Sequence, residues 1–117
     1  MRYMGIYKAV ESSTPPRPEL FEQVERFIQE LAAKGVLVVT DGLLPSSQGA
    51  RVRIEHGTLT VTDGPFTESK ELIAGYGIFE VQSRAEILEL TKRFLKIMGE
   101  GESEIRLMQD QPAYQRP

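Results

Sequence analysis

The chain has 117 residues, 14 of them Lys or Arg and 17 Asp or Glu, giving a net charge of −3 with a single His. This length supports one domain with its own core, and the absence of Cys excludes a disulfide framework, a thiolate metal site and a cysteine nucleophile. The mild acidic excess argues against a nucleic-acid surface, and no apolar run approaches the roughly 18 residues that a membrane span needs. The opening Met1-Arg2-Tyr3-Met4 has no apolar run ahead of a small-residue cleavage site, so no signal peptide is expected and a cytoplasmic location is.

Residues 2–8 read as a strand, with Met4 and Ile6 on one face and Tyr3 and Tyr7 on the other. Ser12 to Pro18 is a loop, because Pro15 and Pro16 fit neither helix nor strand, while Pro18 suits a first helical turn. Leu20, Val24, Phe27, Ile28 and Leu31 then recur on one helical stripe, and Gly35 is placed to end that helix. The run Val36-Leu37-Val38-Val39-Thr40 reads as a strand buried on both faces. After a loop over 45–49, Arg51–Ile54 and Thr58–Thr62 alternate strictly about a turn at Glu55-His56-Gly57. This is a hairpin with Val52, Ile54, Leu59 and Val61 on one face. Asp63-Gly64-Pro65-Phe66 breaks it, and residues 72–81 resume a strand with Gly75 and Gly77 as permissive points. Ser83 and Glu86 form a capping-box pattern ahead of a helix carrying Ile87, Leu90, Thr91, Phe94 and Met98 inward. Gly99 and Gly101 end that helix, 104–108 is a last strand, and 109–117 is a loose tail.

The order β-α-β-hairpin-β-α-β closes most simply as a ferredoxin-like α+β sandwich, one domain over 1–108 with both helices on one face of an antiparallel sheet. Strands 36–40 and 72–81 are apolar on both sides, so the open sheet face would leave a large apolar patch. A homodimer packed sheet to sheet is the expected solution.

The most informative run is Asp63-Gly64-Pro65-Phe66-Thr67-Glu68-Ser69-Lys70-Glu71. Gly and Pro together fix a sharp turn, Asp63 can accept from the turn's N–H groups, and Phe66 can plug a core beneath it. One reading is a structural corner. The other has Thr67, Glu68, Lys70 and Glu71 lining a pocket in which an acid, a base and a cation converge. Together with Met1-Arg2-Tyr3-Met4, Gly35-Val36-Leu37, Asp41-Gly42-Leu43, Val52-Arg53 and Gly75-Tyr76, this block resembles the DGPF-domain branch of the YCII-related proteins over roughly residues 1–108. The resemblance implies a dimeric α/β-barrel-type ferredoxin-like fold with a cleft at the dimer or hairpin edge. Enzymes in that family use a His–Asp pair on small organic acids. Here the lone His56 falls in the hairpin turn, which is more simply an exposed position.

There is no G-x-G-x-x-G, P-loop, H-E-x-x-H or G-x-S-x-G pattern, so nucleotide chemistry and serine hydrolysis are not expected, nor a cofactor or metal. The remaining chemistry is acid–base catalysis on a small acidic or polar molecule. Asp63 or Glu68 would be the base, Lys70 the electrostatic stabiliser and Tyr76 an orienting hydroxyl. Thr67, Glu71, Tyr76, Tyr3 and Arg53 are ligand-binding candidates. Tyr7 shares the tyrosine reading, Arg51 the anion-binding one, and Asp41 with Asp63 is a possible carboxylate pair. The alternative is a non-catalytic dimeric module that regulates or binds another protein.

Overall fold

A computed structural model describes residues 1–12, 14–66 and 70–109. The elements are β1 (Arg2–Ala9), α1 (Pro18–Ala33), β2 (Leu37–Gly42), a 3-10 turn (Ser46–Gln48), β3 (Ala50–Glu55), β4 (Thr58–Asp63), β5 (Leu72–Glu80), α2 (Arg84–Met98) and β6 (Glu102–Leu107). Four strands form one antiparallel sheet in the order β2-β5-β1-β6, while β3 and β4 form a separate two-stranded sheet. The sheet and its two helices make an α+β layout consistent with a ferredoxin-like sandwich. The expected loose tail beyond Gln109 lies outside the described residues.

Local chemistry explains the helix ends. Pro18 opens α1 where its missing N–H costs nothing. At the other end the Gly35 N–H donates to the Ala32 carbonyl and the Val36 N–H to the Leu31 carbonyl, with Gly35 at φ 71°. That paired closure needs the left-handed backbone that glycine adopts freely. At the start of α2 the Ser83 hydroxyl accepts from the Glu86 N–H at 3.2 Å. The Glu86 carboxylate accepts in return from the Gln82 N–H, one residue before the cap itself.

The core lies between helices and sheet. Tyr3, Val81 and Ile87 are its buried centre, with Val36, Phe79, Leu90 and Ile105 packed around them. Phe27 of α1 stacks on Phe94 of α2 at 6.4 Å, and Tyr7 of β1 meets Phe94 edge-on at 5.2 Å. Strand alternation turns Tyr3 and Tyr7 toward the helices and Met4, Ile6 and Ile78 to the other side. No described helix of this chain packs on that side.

Two expectations are corrected. The valine run is not buried on both faces: β2 is an edge strand, and Val38 and Val39 are 47% and 38% exposed. Their β-branched composition favours a strand, but strand order decides what covers it. The hairpin turn is two residues long, since Glu55 pairs with Thr58. His56 and Gly57 take φ 50° and 79°, the mirror-image turn that matches strand twist. The hairpin's aliphatic face is uncovered, with Val52, Ile54, Leu59 and Val61 each about two-thirds exposed.

Across the helix layer, the Arg93 guanidinium holds Glu30 with two hydrogen bonds of 2.9 Å and lies over the Phe27 ring at 4.9 Å. Hydrogen bonds from Arg93, then from Lys34, lower the Glu30 carboxyl from its ordinary 4.5 to about 2. A carboxylate depressed in the folded state contributes stability that is fully present above about pH 4.5 and lost as pH falls toward 2. Arg93→Gln is therefore expected to lower Tm at pH 7, and the gap from wild type to narrow between pH 4.5 and 2 in thermal unfolding scans. Separately, Leu31 is 1% exposed, and Leu31→Ala should cost about 2–5 kcal/mol in denaturant unfolding.

Candidate functional site

The antiparallel connections gather several segments at one end of the sheet. The ends of β1, β2 and α2 lie there, with the starts of α1, β5 and β6. The Asp63–Phe66 corner is pinned to this end through Ser46. The Gly64 N–H donates to the Gly49 carbonyl at 2.9 Å, and the Phe66 N–H donates to the Ser46 hydroxyl at 3.1 Å. That hydroxyl donates in turn to the Glu11 carboxylate, which also accepts from the Ser46 N–H. A side chain at position 64 has no room, since its Cβ would stand 1.7 Å from the Ser46 carbonyl oxygen. Phe66 does not plug the core as expected. It is half-buried, with the Arg51 guanidinium 3.9 Å above its ring. A ring beside a cation gains a quadrupole attraction that a purely apolar pocket would not supply.

Between the helices and the sheet lies a cavity of about 490 Å³. Its floor is Gly5 on β1 with Gly75 and Gly77 on β5, and Gly5 sits directly opposite Gly77 across the strands. The Phe79 ring lies over this floor, 2.8 Å from where a Gly77 Cβ would be. Its walls are Val24, Phe27 and Ile28 of α1 and Phe94 and Met98 of α2. Pro16, Leu20, Asp41, Gly42 and Ala74 border it at the sheet end where the corner is pinned. Apolar walls with a few polar groups are the usual make-up of a small-molecule site.

Four hydroxyl-bearing side chains face this space, those of Tyr7, Thr40, Thr91 and Ser103, while Tyr76, which borders it, lies opposite Ile6 and turns its side chain to the open sheet face. Tyr7 donates to the Glu100 carbonyl at 2.7 Å. Gly101, at φ 99°, makes room for it, because a Cβ there would stand 2.6 Å from the Tyr7 ring. Burial first, then the Glu100 and Glu71 carboxylates, raise the Tyr7 phenol above its usual pKa of 10.0. The Tyr76 hydroxyl donates to Asp41 Oδ2 at 2.9 Å. That hydrogen bond, with the Asp41 charge and some burial behind it, likewise raises the Tyr76 phenol, so it stays protonated as a donor.

The YCII-related domain family matches residues 1–99. The chain belongs to that family. A search of curated proteins finds no match to it.

Within this YCII-related domain the sequence-derived candidates separate. Asp63 is exposed at the end of β4, opposite Ala50. Thr67 and Glu68 lie outside the described residues. Lys70 and Glu71 are exposed just before β5, and Glu71 is close enough to act on the Tyr7 phenol and on Lys8. Tyr76 borders the cavity, but its side chain turns to the open sheet face with Ile6 and pairs there with Asp41. Tyr3 is a core residue, 6% exposed. Arg53 is exposed on the same face of the hairpin as Arg51, 3.7 Å from Glu55. The possible Asp41–Asp63 pair gives way to an Asp41–Tyr76 pair, the partner that cross-strand register supplies. Among the described residues no group of three or more His, Asp or Glu side chains could hold a metal, and no helix is long and apolar enough to cross a membrane.

Sequence reasoning missed Thr40, Thr91 and the Glu11–Ser46 staple. The available signal was the glycine pattern: Gly75 and Gly77 at alternate positions of one strand, which marks a place where something approaches the backbone closely. Gly64→Ala should destabilise the protein by about 2 kcal/mol or more in denaturant unfolding, as overpacking against a fixed backbone does. Gly101→Ala is expected to combine that loss with a change in near-ultraviolet circular dichroism, because it displaces the Tyr7 ring.

Proposed function

We propose that this YCII-related domain is a cytoplasmic homodimer that binds a small molecule in the helix–sheet cavity, next to the Asp63–Glu71 block. The observation carrying this reading is the cavity of about 490 Å³ that reaches the end of the sheet where the corner is pinned. The block itself supports placing the chain in the DGPF-domain branch. Dimerisation through the open sheet face is supported by Met4, Ile6, Ile73 and Ile78, which share that face. Ile73 is 53% exposed in the single chain, and apolar sheet faces of this kind are normally covered.

In the catalytic form of this reading, Asp63 or Glu68 is the base, Lys70 stabilises developing negative charge and Tyr76 orients the bound molecule. Thr67, Glu71 and Arg53 are its further polar contacts. A second reading, a non-catalytic regulatory or protein-binding module, is favoured by one observation: the exposed aliphatic face of the hairpin.

A thermal-shift screen of small metabolites tests the first reading. A ligand is expected to raise Tm, because it binds the native state preferentially. Val24→Trp, which fills the cavity from α1, should abolish that shift while the variant stays folded by circular dichroism. If Asp63→Ala and Lys70→Ala leave binding and any turnover unchanged, those two residues have no part in the site. Light scattering should give a dimer mass for the wild type and a monomer for Ile78→Lys. A monomeric wild type across micromolar concentrations overturns the dimer.

A further inference from the structure

The hydrogen-bonding capacity of the cavity is weighted toward acceptors. Of the four hydroxyl groups on its helix-facing side, three have already given their protons away, and Ser103 is the remaining donor. Tyr7 donates to the Glu100 carbonyl, Thr40 to the Tyr76 carbonyl at 2.8 Å and Thr91 to the Ile87 carbonyl at 2.7 Å. What each keeps free is oxygen lone pairs, so toward a ligand these groups accept and do not donate.

Charge points the same way. No Lys, Arg or His is among the described lining residues, and Asp41, which borders the space, turns its carboxylate to Tyr76 on the open sheet face. The charges acting on the Tyr7 hydroxyl are both carboxylates, Glu100 and Glu71. Lys8, on the same strand, is held by Glu104 at 2.9 Å. The first turn of α1 also borders the space, but Pro18 has no N–H to offer, and the Leu20 N–H is bonded to the Arg17 carbonyl at 3.0 Å. An anion entering here would lose its hydration and meet acceptors.

Shape supplies the remaining constraint. Gly5, Gly75 and Gly77 present bare backbone as a floor, and the Phe27, Phe94 and Tyr7 rings stand around it. Flat backbone facing aromatic walls suits a ring, which can stack or meet those walls edge-on.

We infer that the cavity takes an aromatic molecule bearing a hydrogen-bond donor, a phenol or an aromatic amine, and discriminates against aromatic carboxylates. This rests on the reading of the cavity as a ligand site. It departs from the acidic substrates that the family resemblance led us to expect. The donor hydrogen is received by the Thr91 or Thr40 oxygen while the ring lies over the glycines.

Three shape-matched probes test it: naphthalene, 2-naphthol and 2-naphthoate, titrated by calorimetry and thermal shift at neutral pH. 2-Naphthol should bind at least about tenfold more tightly than 2-naphthoate, the scale of one hydrogen bond gained against one charge left unpaired. Thr91→Val and Thr40→Val keep the shape and remove an acceptor. At least one of them should weaken 2-naphthol several-fold and leave naphthalene binding unchanged. Equal or tighter binding of 2-naphthoate overturns the inference, as does 2-naphthol binding no better than naphthalene or being indifferent to both variants, and each leaves the cavity standing as a ligand site. If none of the three binds a folded wild type, this inference fails. If the metabolite screen is also blank, the small-molecule reading fails with it.

Discussion

At the centre of the sheet, on the side that faces the helices, side chains are missing where packing would ordinarily place them. Gly5 and Gly77 are opposed across β1 and β5, Gly75 follows on the same face, and the Phe79 ring bends over the gap. A β-branched residue at any of these positions would close the space between the layers. Glycine in a strand interior sacrifices packing and conformational entropy, so three on one face is a costly arrangement. Stability elsewhere must offset it, and here that falls to Tyr3, Val81 and Ile87 at one end of the core and to the Phe27–Phe94–Tyr7 ring cluster at the other.

The two ends of the sheet divide the work. The end carrying Tyr3, Val81 and Ile87 is closely packed and contributes the core. At the other end the chain reverses repeatedly, and the structure is held by hydrogen bonds rather than by burial. Tyr7 reaches the carbonyl after α2, Tyr76 reaches Asp41, and Ser46 joins Glu11 to the Asp63–Phe66 corner. Each of these hydroxyls spends its proton inside the protein. For Tyr7, as for Thr40 and Thr91, structural need therefore sets the polarity shown to a guest in the cavity, where these three hydroxyls remain as acceptors.

Much of the architecture was legible because it depends on local rules. Period and capping reveal α1 and α2, alternation reveals β1 and the hairpin, and the sequence order of elements narrows the sheet to a few closures. The site was less legible. Asp63 and Lys70 attract notice because charged residues follow a rigid turn, yet both are exposed, and the turn's main business is its bond to Ser46. Thr40 and Thr91 look unremarkable in the sequence, and become polar points of the cavity only because β2 pairs with β5 and α2 lies across the sheet. The valine run of β2 shows the same limit, since its composition favours a strand and is silent on whether that strand lies at an edge.

The sequence by itself determined the element types and their order, the helix ends at Pro18, Gly35 and Ser83, the turn at His56-Gly57 and the membership signalled by the Asp63–Glu71 block. All of these arise from interactions between residues close along the chain. The tertiary structure alone decided that Gly5 and Gly77 would face one another, that Asp41 would meet Tyr76, and that the hydroxyl protons of Tyr7, Thr40 and Thr91 would all be committed to carbonyls. The physical reason is register. A shift of one residue in strand pairing moves every side chain to the opposite face, so what lines a cavity between sheet and helices is fixed only when the whole sheet has closed.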